Sequence, residues 1–239
     1  MAIDDQVLQL AQRGDRAAVE ALLADALQLV WRIGAALSGR EDVARGIARF
    51  VLLQSASQIR NWRDADAAGR WFMHHTVLTA RRAVKHQPGA RQEILARRGD
   101  DAAYIAFVRA LRGLPMQPRE AFILHYGQGL AMRQLGIAMD CSTQAAELHL
   151  RTATESLRPI VADAFESLCR RLADVHRDLA PPDGLVRPAV RRYLARHVWP
   201  RRIRRVLIAA AILAVLVGVA WLWIRHRQAL PWLKGLLTR

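Results

Sequence analysis

Apolar residues recur at intervals of three and four along most of this chain, the spacing that lines one face of an α-helix. Val19, Leu22, Leu23, Ala26, Leu27, Val30, Ile33 and Leu37 form the first such stripe, with Asp15 placed to cap it and Ser38-Gly39 to end it. A second helix is predicted from Glu41-Asp42, whose charges suit the positive end of the dipole, through Val43, Ile47, Phe50, Val51 and Gln54 toward Ile59. Asn61 to Asp66 reads as a connector. A third helix runs from about Asp66 to His86, turning Trp71, Phe72, Val77 and Leu78 inward and closing on Arg81, Arg82, Lys85 and His86. Gln87-Pro88-Gly89-Ala90 breaks the pattern, and the polar stretch to Asp101 reads as a linker. Tyr104, Phe107, Val108 and Leu111 then define a helix ending before Gly113-Leu114-Pro115. Pro118 starts the next, with Phe122, Ile123 and Tyr126 apolar, and Gly127-Gln128-Gly129 turns the chain. A short helix from Leu130 to Met139, a tight turn over Asp140 to Ser142 with Ser142 as N-cap, and a longer helix from Thr143 to Leu157 follow. That is the layout of a helix-turn-helix, with Ala146, Leu150 and Ala153 expected to face inward.

Near the far end the periodicity gives way to unbroken apolarity. Val206 to Ile224 is a run of nineteen uncharged residues, long enough at about 1.5 Å per residue to cover roughly 28 Å as a helix. Eight arginines precede it between Arg187 and Arg205, while Arg225, Arg227, Lys234 and Arg239 follow it. By the positive-inside bias this predicts a single span with the N-terminal part in the cytoplasm. Trp199, Trp221, Trp223 and Trp232 stand where amphipathic rings favour the headgroup layer. A buried hairpin helix of a soluble protein is the competing interpretation of the same run. Between the two regimes, Ile160, Val161, Ala164, Leu168, Leu172 and Val175 mark a further helix over Pro159 to Leu179, whose stripe packs either on its own protein or on a partner. Ala180-Pro181-Pro182-Asp183-Gly184 reads as a flexible stretch.

Charge divides at the same place. The net +15 invites a nucleic-acid interpretation, yet residues 186–239 hold twelve lysines and arginines and no acid, which leaves 24 bases against 21 acids upstream. Most of the basic excess therefore belongs with the apolar run, where arginines also suit anionic lipid headgroups. Residues 1–98 keep a modest surplus of fifteen bases over ten acids. Cys141 and Cys169, 28 residues apart, form neither a zinc pattern nor a disulfide framework, and the adjacent His74 and His75 lack the spacing of a helical metal pair. No phosphate loop, nucleophile elbow or paired carboxylate stands out, so neither a cofactor, a metal nor a catalytic residue is expected, and the chain is not read as an enzyme.

Leu111-Arg112-Gly113-Leu114-Pro115, Arg119-Glu120-Ala121-Phe122, Gly129-Leu130 and the run from Leu135 through Ser142 to Leu150 and Ala153 resemble the C-terminal DNA-binding region of sigma-70 family factors of the extracytoplasmic-function group. Leu29-Val30-Trp31-Arg32, Gly39-Arg40-Glu41-Asp42-Val43, Phe50 and Trp71-Phe72 ahead of Arg81-Arg82 are similar to the same group's region that grips RNA polymerase and melts the promoter. The resemblance spans roughly residues 5–158 and rests on both regions occurring in order. It implies an all-α fold: a region 2-like bundle over 1–87, a linker over 88–101 and a region 4-like helix-turn-helix domain over 102–158. An extra helix over 159–180, a basic juxtamembrane linker over 181–205, the transmembrane helix over 206–224 and a short tail over 225–239 complete the layout.

The implied partners are RNA polymerase core, promoter DNA, inner-membrane lipid and a regulatory, anti-sigma-like protein. In the recognition helix Ser142, Thr143, Gln144, Glu147, Leu148 and Arg151 are the candidates for DNA contact, since the second helix of this motif lies in the major groove. Gln pairs bidentately with adenine and Arg with guanine, while an acid such as Glu147 repels phosphates unless it accepts from cytosine. The region 2-like half offers Arg60, Trp62, Arg63, Trp71, His74, Arg81, Arg82 and Lys85 to DNA, and Glu41, Asp42, Arg45 and Arg49 to polymerase. The chain departs from the group's pattern on that docking helix, where acidic and amide side chains are usual and Ala44, Arg45, Ala48 and Arg49 stand here. Two functions are therefore expected as alternatives: a membrane-tethered sigma factor directing polymerase to promoters, or a membrane-anchored DNA-binding regulator or interaction module that does not initiate transcription.

Overall fold

The computed structural model describes residues 4–86, 93–96, 99–197 and 207–223, and these are all-helical, with no strand among them. The chain opens with a helix that the periodicity did not mark, α1 (Asp5–Arg13), capped by Asp4 and closed by Gly14 at φ 93°. α2 (Arg16–Ser38) starts where Asp15 accepts from the Ala18 amide at 2.7 Å and stops at Gly39, φ 71°. It is the axis of the first bundle, with α1, α3 (Glu41–Ser55) and α4 (Ala65–His86) packed around it. Because neighbours surround it, α2 is apolar on nearly every face. Among the described residues it is the one helix long and apolar enough to cross a membrane, yet 67% of its apolar window is buried in the bundle, as befits a core helix. Gly34 permits the close approach of α3, since a Cβ there would meet Ile47 at 3.3 Å.

The second bundle comprises α5 (Ala102–Gly113), α6 (Met116–Phe122) extended by a π-turn over Ile123–Gly127, α7 (Met132–Met139) and α8 (Thr143–Val161). Tyr104, Phe107, Val108 and Leu111 are buried along α5 as the stripe implies. α6 begins at Met116, two residues before the expected Pro118, because Pro115 is the N-cap and a proline within the first turn forfeits only an amide that has no helical partner anyway. α8 likewise runs past Leu157 and through Pro159 before a 3-10 turn at Ala162–Ala164. The extra helix, expected from Pro159, is α9 (Phe165–Asp178). Its stripe is used on its own protein: Phe165 packs edge-on against Phe122 and Tyr126, and Leu168, Leu172 and His176 are buried.

Two connectors carry structure that the pattern did not mark. The described residues of the 88–101 stretch are tied to their neighbours. Glu93 receives both arms of Arg112 at 2.8 Å, the Ile94 amide donates to Gly39 O, and Leu95 is buried. Arg171 of α9 also grips Asp100 and Asp101. The stretch expected as a juxtamembrane linker over 181–205 contains a helix, α10 (Val186–His197), with Ala189, Val190 and Tyr193 buried. Tyr193 donates to Ala11 O at 2.6 Å, across 182 residues of sequence. Residues 1–193 accordingly form one compact unit in which both bundles are docked, and residues 194–239 form a second. Within the latter, α11 (Leu207–Trp223) is a shorter apolar helix with every residue exposed. Val206 and Ile224, the ends of the expected span, and the tail over 225–239 lie outside the described residues.

Candidate nucleic-acid interface

The α7–turn–α8 unit is built by local chemistry at three points. Gln134 accepts from the Ala131 amide at 3.3 Å and starts α7. At its end Asp140 takes the left-handed conformation at φ 59°, the one non-glycine residue with positive φ among those described, while the Cys141 amide returns to Gly136 O at 3.0 Å. Asp tolerates that conformation better than most residues, so the turn forms without the glycine usual there. Gly136 has no such freedom, because a Cβ on it would lie 3.0 Å from Cys141 O and 3.3 Å from Thr143 N. Ser142 then accepts from the Ala145 amide at 3.1 Å and opens α8. Leu135, Ala138, Met139, Ala146 and Ala153 are buried between the two helices and their neighbours, and Leu150 is half-buried.

This packing leaves Ser142, Thr143, Gln144, Glu147, Leu148 and Arg151 exposed on one side of α8. Leu148 is 56% exposed. Arg133, which the sequence pattern did not single out, is exposed on α7, the helix before the turn. Its signal lay in the motif geometry alone.

The region 2-like candidates do not share one surface. Trp62 is buried, 5.5 Å from the Trp71 ring and 5.2 Å from Phe72. Trp71 is half-buried and stacks on His75 at 4.0 Å. Burial holds the His75 imidazole below its ordinary pKa, opposed by its contact with Trp71 O, with His74 and Arg82 lowering it further. His74 places Nδ1 3.2 Å from Ile137 O, so a nitrogen of the first bundle meets the end of α7. Arg70, Trp71, His74 and His75 line one side of a cleft of about 400 Å³ whose other side is Gly136, Ile137, Asp140 and Cys141. Arg81 is already committed: it donates to both Glu120 carboxylate oxygens, the shorter contact 2.7 Å, and to Met139 O at 3.2 Å. Glu120 is 3% exposed, and burial pushes its carboxyl above the ordinary range even with Arg81 against it. Arg60 and Arg63 are exposed, the latter paired with Asp64 at 2.9 Å. Arg82 is exposed beside a separate groove lined by Asp42, Val43, Ile47 and Phe50. The side chain of Lys85 lies outside the described residues.

On α3 the candidates for polymerase contact are all at the surface, where Glu41 pairs with Arg45 at 2.8 Å and Asp42 with Arg40 at 2.5 Å. Ala44 and Ala48 are buried against the bundle, so the exposed positions between the acids and Phe50 are Arg45, Gly46 and Arg49. Among the described residues no group of three or more His, Cys, Asp or Glu side chains converges as a metal site would require. Comparison with protein-family models, curated proteins and solved structures finds no match to this chain.

Proposed function

We propose that this chain is a membrane-anchored, sigma-factor-like transcription protein that reads promoter DNA through α8 and directs RNA polymerase core to it. The observation that carries the proposal is the α7–turn–α8 unit, with a capped, close-packed turn and the exposed side chains of Thr143, Gln144, Glu147, Leu148 and Arg151 on the outer face of its second helix. Gln144 and Arg151 supply the bidentate partners that read adenine and guanine, and Thr143 and Arg133 supply phosphate contacts. α11 and its arginine-rich approaches form the anchor, a single pass through the bacterial inner membrane that keeps residues 1–193 in the cytoplasm. An anti-sigma-like regulator is a further partner on this proposal.

A specific observation favours the second function, a DNA-binding regulator that does not initiate. Arg81 is spent on Glu120 and Met139 O, and His74 on Ile137 O, so part of the surface proposed to melt DNA is turned onto the helix-turn-helix bundle while α8 stays open. Arg45 and Arg49 also oppose a basic polymerase surface. Full-length protein in lipid nanodiscs, tested for binding to promoter-containing DNA and to core polymerase and for run-off transcription, separates the two. Binding to core and a run-off product support the sigma-like function. DNA binding without core binding leaves the regulator, and absence of both removes the family of proposals altogether.

A further inference from the structure

We propose that α10 is a lipid-headgroup helix that seats the helical unit on an anionic bilayer surface in a fixed orientation, instead of a loose tether. The proposal rests on α11 being the membrane anchor. One side of α10 is spoken for: Ala189, Val190 and Tyr193 are buried, and the Tyr193 hydroxyl donates to Ala11 O at 2.6 Å, which ties the helix to α1. The opposite side carries Arg187, Arg191 and Arg192, all exposed, at a spacing that spreads three guanidinium groups over the outward half of the helix.

About half of the described arginines elsewhere pair with an acid, which these three do not. Arg16, Arg45, Arg70 and Arg177 each have an acid on their own helix, at Glu20, Glu41, Asp66 and Asp174. No ion pair among the described residues engages Arg187, Arg191 or Arg192, and from Gly184 to the last residue the sequence contains no acid at all. A helix with one face packed and the other carrying only cations attracts an anionic surface that faces it. The covalent connection supplies that surface. Arg192 is fifteen residues from Leu207, so even a fully extended chain keeps the face within roughly 50 Å of the start of the anchor. Five further arginines, Arg196, Arg201, Arg202, Arg204 and Arg205, lie between them in sequence. Guanidinium groups form bidentate bonds to phosphate, the chemistry that a phosphatidylglycerol or cardiolipin headgroup offers. At about 1 kcal/mol for each arginine at an anionic surface, the three together favour the docked over the undocked state on the order of a hundredfold. The edge of the unit formed by α1 and α10 is then the edge presented to the bilayer.

The test uses the full chain, with Cys141 and Cys169 replaced (C141S, C169A) and a fluorophore placed on α10 through A195C, in nanodiscs that contain headgroup-quencher lipid. Strong quenching is expected in phosphatidylcholine discs containing phosphatidylglycerol. It should fall sharply in pure phosphatidylcholine, at high salt and in R187Q/R191Q/R192Q, and be retained in R187K/R191K/R192K. Equal quenching in neutral and anionic discs overturns the proposal, as does quenching in anionic discs that added duplex DNA abolishes, which would make these arginines a nucleic-acid contact. A chain that fails to enter nanodiscs at all refutes the anchor itself, whereas one that enters and shows no quenching in anionic discs refutes only the role of α10.

Discussion

The ion pair between Arg81 and Glu120 joins α4 to α6, and its two halves should respond unequally to mutation. The Glu120 side chain is 4% exposed and the Arg81 side chain 26%, so water reaches one partner and scarcely the other. Replacing Arg81 with Met strands a buried carboxylate and removes the bond to Met139 O. Breaking a buried pair from that side costs about 3 kcal/mol at neutral pH. Replacing Glu120 with Gln keeps an acceptor for a guanidinium that solvent can already reach, and costs about 1 kcal/mol. Thermal unfolding of the full chain in mild detergent, followed by circular dichroism, converts these into a fall in Tm of roughly 6–12 °C for R81M and 2–4 °C for E120Q. Acidity separates the two further. Burial already raises the Glu120 carboxyl above its ordinary pKa, and loss of Arg81 raises it more. A carboxyl whose folded pKa lies above the unfolded one adds stability below the unfolded pKa and loses it as pH rises through the folded pKa. The R81M deficit must therefore shrink on acidification toward pH 4.5, whereas that of E120Q grows, because only the wild type gains stability as its Glu120 takes up a proton. Equal deficits, or an R81M deficit indifferent to pH, would refute the assignment of Glu120 as the buried, desolvated partner.

Three further outcomes are expected. Burial, with a smaller contribution from Arg32, pushes His176 down to about 4 from an ordinary 6.5. The unfolded chain therefore binds a proton that the folded one refuses, and stability declines by about 3 kcal/mol as pH falls from 6.5 to 4. Tm measured across that window should slope accordingly, and H176Q should flatten the slope. Burial pushes the Cys169 thiol up to about 12, while Cys141 is raised less and is half-buried, so N-ethylmaleimide should label Cys141 in the native protein and Cys169 only after unfolding, as located by peptide mass. On α8, E147Q should raise affinity for duplex DNA of any sequence. Q144A should instead weaken one sequence over others by about 1–3 kcal/mol, both read by fluorescence anisotropy against salt concentration.

What the sequence by itself determined is what short-range physics controls. Asp15 and Gly39 bound α2 because a cap and a left-handed stop act within one turn of helix. The stripe of Tyr104, Phe107, Val108 and Leu111 names the buried face of α5 by its period alone, and Ser142 marks the start of α8. The exposed row on α8 follows from the same periodicity. α10 escaped notice because its mean hydropathy is low, its arginines dominate the composition, and three buried residues suffice to dock it. α1 was missed for a similar reason, having only Leu8 and Ala11 to bury.

Only the tertiary structure decided which polar groups find partners across the chain. Arg81 reads identically in sequence whether it faces DNA or Glu120, 39 residues away, and Arg112 gives no hint of Glu93 or of Leu37 O. The polar run before Asp101 looks like a linker by composition, yet Glu93 is held by Arg112 of α5, Asp100 and Asp101 by Arg171 of α9, and Leu95 is buried. Helical apolarity has the same ambiguity: α2 and α11 share it, but α2 buries its surface in a bundle and α11 leaves its own exposed. Periodicity reports how much a segment must hide, and a hydrogen bond or ion pair reports where a second segment happens to lie. The first is a property of neighbours in the chain. The second exists only once the helices have packed.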